Sequence, residues 1–277
     1  MLEVGVHLPQ YGRSASPSFL RDAARHAEAL GFAHVWVSDH IVRPRTQDYP
    51  SPHLYDPLLA LSWAAAATEH IGIGTSVLVA PQYHPVWLAN ALASLDALSE
   101  GRLIVGLGVG WSKAEFDALG QSFHDRGART DEIIGVLRAC WGDDPVSFHG
   151  RFYDLDDLLV LPKPAHRIPL WIGGRGDAAF RRAFALGDGF HAIGLDIEGA
   201  RAMCARVRAA QPSPDFPISI RTGWDPLGMD PDQIRREREA WTAAGVQHVV
   251  AAPWRNDRDS WMRAMEELAS ICELTPR

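Results

Sequence analysis

The chain of 277 residues has little cysteine. Cys140, Cys204 and Cys272 are odd in number and far apart, which excludes a disulfide framework and leaves no zinc-type ligand spacing. Nor is there an excess of basic charge: the net charge of -7 and pI near 5.9 repel polyanions and exclude a general nucleic-acid or anionic-membrane surface. Long apolar runs are missing too, the longest, around Leu58 to Ala67, being too short and interrupted to cross a bilayer. The opening MLEVGVHLPQ lacks the basic and apolar regions of a secretory signal, so a cytoplasmic location is expected. No Gly-x-Ser-x-Gly elbow, Walker loop or His-Glu-x-x-His occurs, which removes the chemistries tied to those motifs. His26, His70, His124 and His166 are scattered and read as surface or capping residues.

What is present is an average soluble composition, 47% hydrophobic and 22% charged, sufficient for a sizeable core. Eight short β-rich runs alternate with segments of helical period. The runs are Val4 to Leu8, His34 to Ser38, Ile71 to Ser76, Leu103 to Leu107, Pro169 to Gly173, Phe190 to Ile193, Ile218 to Thr222 and Gln247 to Ala251. Helices are predicted over Ser18 to Leu30, stopped by Gly31, and near 57–69, 86–98, 128–141, 177–187, 197–209, 231–244 and 258–272. Two halves of such units could form a doubly wound sheet. With no linker or composition shift and a count closing at eight, the expected fold is an α/β (β/α)8 TIM barrel, one domain over residues 1–277. Ile41 to Leu54, after strand two, and Trp141 to Arg167, before strand five, read as excursions, the second holding a hairpin about His149 and Gly150.

Barrels of this kind carry their chemistry at the carboxyl ends of the strands. Asp39 and His40 end strand two, where they could position and protonate a ligand or merely tie down the loop. Gly106, Gly108 and Gly110 permit close backbone approach to a phosphate or ring, or simply a tight turn; the third glycine and acidic strand end of a dinucleotide fingerprint are missing. Gly173, Gly174, Arg175 and Gly176 combine exposed amides with a guanidinium at a helix start, a group suited to phosphate, and Asp177 could instead cap that helix. Arg43, Arg45, Arg175, Arg221 and Arg255 all fall at or beyond strand ends of an acidic protein, pointing to an anionic ligand. Trp111, Trp224 and Trp254 are placed on the same face as substrate-binding aromatics, whereas Trp36 and Trp171 belong to the structure.

HVWVSDH, IGIGTSVLVAPQYHP, GRLIVGLGVGWSKAEFDALG, RGARTDE, YDLDDLLVLPKP and IPLWIGG occur in the order found in the luciferase-like monooxygenase family, and the chain resembles its F420-dependent oxidoreductase branch. The resemblance implies a deazaflavin cofactor, coenzyme F420, with FMN and oxygenation as the alternative; it also implies a homodimer acting on a small molecule. It places Asp39 beside the ring and makes His40 the proton donor. It sets Ser76 and Val77, with Val79 close by, at a non-proline cis peptide supporting the middle ring. Val109, Gly110, Gly173, Gly174, Arg175 and Gly176 match the phosphate and tail site. Sugar-phosphate dehydrogenases of the branch carry a glutamate at Trp111 and a tryptophan at Pro44, so a planar or apolar substrate is expected in place of glucose 6-phosphate.

Overall fold

A computed structural model describes residues 2–211, 213 and 215–276. The elements run β1 (Glu3–His7), α1 (Pro17–Ala29), β2 (His34–Val37), α2 (Pro57–Ala65), β3 (Gly72–Val79), α3 (Pro85–Leu98), β4 (Leu103–Gly108), α4 (Lys113–Ala118) and α5 (Arg126–Trp141). They continue with β5 (Val146–His149), β6 (Asp154–Leu158), β7 (Leu170–Gly173), α6 (Asp177–Leu186), β8 (Gly189–Ile193), α7 (Ile197–Ala210), β9 (Ile218–Thr222), α8 (Pro231–Ala244), β10 (His248–Ala251) and α9 (Arg258–Ile271). Eight parallel strands close a barrel in the order β1, β2, β3, β4, β7, β8, β9, β10, so the expected (β/α)8 architecture is the observed one. β5 and β6 form the expected antiparallel hairpin inside the second excursion, held to α5 by the Glu132 carboxylate, which accepts from the amides of Arg151 and Phe152.

Local chemistry explains the boundaries. Pro17, Pro57, Pro85 and Pro231 each open a helix, where a missing N–H costs nothing. Ser16, Asp56, Asp196, Asp230 and Asp257 cap orphan amides of the first turn. Two elements depart from the sequence reading: β3 extends to Val79, and α4 is a six-residue helix that was not anticipated.

The strands bury both faces but with different partners. On β2, Val35 and Val37 join the large apolar cluster shared with the helices, while Trp36 belongs to a small inner cluster with Trp171, Val250 and Ile104. Room for the indole comes from glycine: a Cβ on Gly5 or on Gly74 would lie 2.5 Å from Trp36. Large and small residues thus interdigitate inside the barrel, and a polar layer lies above them toward the carboxyl ends.

Candidate active site

The floor of the site is built where β3 meets β4. Their register shifts between Thr75 and Leu78, and the Ser76–Val77 peptide is cis, as the resemblance implied. Val77 packs against glycine backbone, since a Cβ on Gly108 or Gly173 would lie 2.6 or 2.8 Å from its methyl groups, and one on Gly106 2.1 Å from the Thr75 carbonyl. These glycines therefore admit the close approach of β3. A cleft of about 250 Å³ opens above this floor, lined by Ser76, Val77, Val79, Val109, Gly110 and Gly174 among others.

Asp39 and His40 reach this cleft by different routes. The buried Asp39 carboxylate accepts from Val79 N at 2.8 Å and Tyr83 Oη at 3.1 Å, bracing the end of β3. Burial pushes its pKa up to about 7 against those two bonds. His40 Nδ1 lies 2.9 Å from Glu115 Oε2, and Glu115 Oε1 accepts from Ile41 N at 2.9 Å. Burial alone would raise the Glu115 carboxyl; the bonds from His40 and Ile41 hold it below the usual carboxylate range. An ionised Glu115 accepts from Nδ1–H, which fixes the tautomer and leaves His40 Nε2 as the nitrogen that can exchange a proton.

Beneath them runs a polar arc. Arg221 Nη1 donates to Ser38 Oγ at 2.9 Å and to the Ser76 carbonyl, with the guanidinium 4.9 Å from the Trp254 ring centre. Ser38 Oγ is 2.7 Å from His7 Nε2, and Ser76 Oγ is 2.8 Å from His191 Nε2. Burial, then the charge of Arg221, lowers both imidazoles, His191 to about 3, so both are neutral. Arg221 itself is buried beside the hydroxyls of Tyr49 and Tyr11, and among the described residues no carboxylate pairs with it. A buried cation so placed is a ready partner for an electron-rich ligand edge.

At the rim Trp111 is 54% exposed and stacks on Tyr49 at 6.1 Å and 18°, with His40 edge-on to both. Trp254, with Tyr11, lines an adjoining chamber of about 380 Å³ that shares Ser38, His40 and Tyr49 with the cleft. Trp224 is not among them. It is fully buried, stacks on Trp241 at 5.3 Å and donates to Glu237, both on α8, which covers the indole. Its placement as a substrate-binding aromatic is corrected to a core role.

The arginines also separate. Arg221 lies in the cleft, while Arg255 pairs with Asp225. Arg175 lines a second hollow of about 220 Å³ with Arg206, Phe180 and Gly199, and Gly174 borders both hollows, so the two adjoin. Gly176 is the N-cap of α6 with open space around it; Asp177 does not cap but pairs with Arg206 at 2.8 Å. Glu115, Tyr49, Tyr11, His7 and His191 were not read from the sequence as site residues. For His191 and Arg221 a signal existed: both alternate with apolar residues on strands whose outer faces helices cover, so they had to point inward.

A closed parallel barrel with a polar cleft at its carboxyl strand ends defines the (β/α)8 class of enzyme. Within it, the chain belongs to the luciferase-like monooxygenase family, whose model matches residues 2–270. It is 35% identical over 239 residues to F420-dependent glucose-6-phosphate dehydrogenase of Kineococcus radiotolerans, covering 82% of this chain and 69% of that one. For the enzyme of the same name from Amycolatopsis mediterranei the identity is 35%, over 69% of this chain, which spans 57% of that relative's length. An FMNH(2)-dependent dimethylsulfone monooxygenase of Pseudomonas fluorescens is 31% identical, over 83% of this chain and 61% of that one. The fold matches a monooxygenase from Streptomyces bottropensis with a TM-score of 0.81 at 20% identity, over 97% of this chain and 98% of that one.

Proposed function

We propose that the chain is an F420-dependent oxidoreductase acting on a planar or apolar organic molecule. The observation that carries this reading is the His40–Glu115 couple at the edge of a cleft whose floor is glycine-backed Val77. The residues present fit such a cofactor: a glycine-backed floor at Val77, the buried cation Arg221, and an adjoining hollow lined by Arg175. Ser76, Val77, Val79, Val109, Gly110, Gly173 and Gly174 would hold the ring, and Arg175 and Gly176 its phosphate tail. When bound, a deazaflavin supplies two-electron hydride chemistry.

The protein supplies orientation, dryness and a proton. Glu115 anchors Nδ1 of His40, and Nε2 gives or takes the proton at the reacting oxygen or nitrogen of the substrate. Trp111, Tyr49 and Trp254 offer aromatic faces that exclude water and favour a flat molecule. The resemblance puts Trp111 where the sugar-phosphate dehydrogenases of the branch carry a glutamate, so turnover of glucose 6-phosphate at rates typical of a physiological substrate would overturn the substrate half of the proposal.

The FMNH(2)-dependent relative supports a second reading, a monooxygenase using reduced FMN and O2. Fluorescence titration separates the two: micromolar affinity for F420 with none for FMN supports the first, and the reverse supports the second. We expect a homodimer, to be checked by light scattering.

A further inference from the structure

We propose that the opposite, amino-terminal mouth of the barrel is a binding site for a divalent transition metal of the zinc class, held by Glu3, His34 and His248. These are the first inward-facing residues of β1, β2 and β10, each two positions before Gly5, Trp36 and Val250 on the same faces. Pairing of β1 with β10 sets Glu3 directly beside His248.

The donor atoms are already gathered. Glu3 Oε2 lies 3.1 Å from His248 Nδ1 and 3.7 Å from His34 Nδ1, and one ligand atom from each residue falls within 4.8 Å of the others. A tetrahedral zinc with bonds near 2.0–2.1 Å needs donors about 3.4 Å apart, and the two separations from the carboxylate bracket that value. His248 Nδ1, despite its 3.1 Å approach, makes no hydrogen bond to the carboxylate. The imidazoles are only 16% and 18% exposed, and Gly72 clears the space for one of them, since a Cβ there would lie 2.1 Å from His34 Cδ2. Two nitrogens and a single carboxylate select Zn²⁺, Co²⁺, Ni²⁺ or Cu²⁺ over Ca²⁺ or Mg²⁺, which want a shell of oxygens.

The place of the cluster gives it a function. β1 and β10 are the first and last strands, so a metal there clamps the seam at which the barrel closes, and joins β2 as well. It lies at the other end of the barrel from His40.

The test uses full-length, tag-free protein stripped with chelator. Calorimetry with Zn²⁺ alone should give one ion per chain, and Co²⁺ alone should show visible bands of a low-coordinate, nitrogen-bearing centre. Zinc at 100 times its Kd should raise Tm by roughly 5 °C. Glu3→Gln/His248→Gln, checked for folding by circular dichroism, should bind roughly 100-fold more weakly while leaving F420 affinity unchanged. Should that variant not fold, the single His34→Gln variant decides by the same loss. Absence of one-to-one binding by the wild type, or equal binding by wild type and variants, would overturn the proposal without touching the reading of the active site.

Discussion

His40 takes its orientation from Glu115, a residue 75 positions further along the chain. Replacing the imidazole outright, His40→Ala, should lower kcat roughly 10²- to 10⁴-fold while F420 affinity stays within a few-fold, as stopped-flow and fluorescence titration would show. Glu115→Gln keeps an acceptor for Ile41 N but removes the charge; kcat should fall roughly tenfold and its pH profile should move, a change that a packing role would not produce. The tryptophans divide just as clearly. Trp111→Ala should raise KM with little loss of stability, whereas Trp224→Ala, which empties a fully buried site beside Trp241, should cost about 3–5 kcal/mol in urea unfolding and leave KM alone.

At the scale of elements, glycine positions carry the sharpest expectations. A Cβ at Gly106 meets the Thr75 carbonyl, which cannot rotate away, so Gly106→Ala should destabilise by about 3 kcal/mol. Gly176→Ala has open space around it, so its cost should be limited to the weaker N-cap, about 1 kcal/mol or less and far below that of Gly106→Ala in urea unfolding. The barrel was legible because its eight strands are short apolar runs spaced by one helix each, and all eight lie within a few residues of where composition put them. Of the site, the glycines, Asp39, His40, Trp111 and Trp254 were legible from position alone, being next to strand ends. Glu115 was not, because α4 is six residues of mixed charge and only tertiary contact reveals which acid is buried. Trp224 failed for the converse reason: lying just beyond a strand end says nothing about which way the chain turns next.

For the molecule as a whole, pH is the informative variable. His7 and His191 are neutral when folded, so below about 6.5 the unfolded chain binds protons that the native one does not, and stability is lost as pH falls. Asp39 acts in the opposite sense: between 3.8 and about 7 the native state keeps a proton the unfolded chain has released, so its contribution declines as pH rises. Among these three groups two protons oppose one, so together they make the fold less stable as pH falls below about 6.5. Asp39→Asn removes the opposing proton and should steepen the loss of stability with falling pH in urea unfolding between pH 4.5 and 6.5; an unchanged slope would contradict the buried, protonated Asp39.

Val77, wedged among three glycines, has a bearing on how this barrel can change. A floor without spare volume tolerates no single enlargement, so Val77→Ala and Gly108→Ala should rescue one another in a double-mutant cycle. Altered appetite for substrates must then arise at the rim, from Trp111 and the loop carrying Tyr49, where side chains end in solvent. Libraries meant to redirect the enzyme belong at those positions, with 77, 106, 108 and 173 held constant.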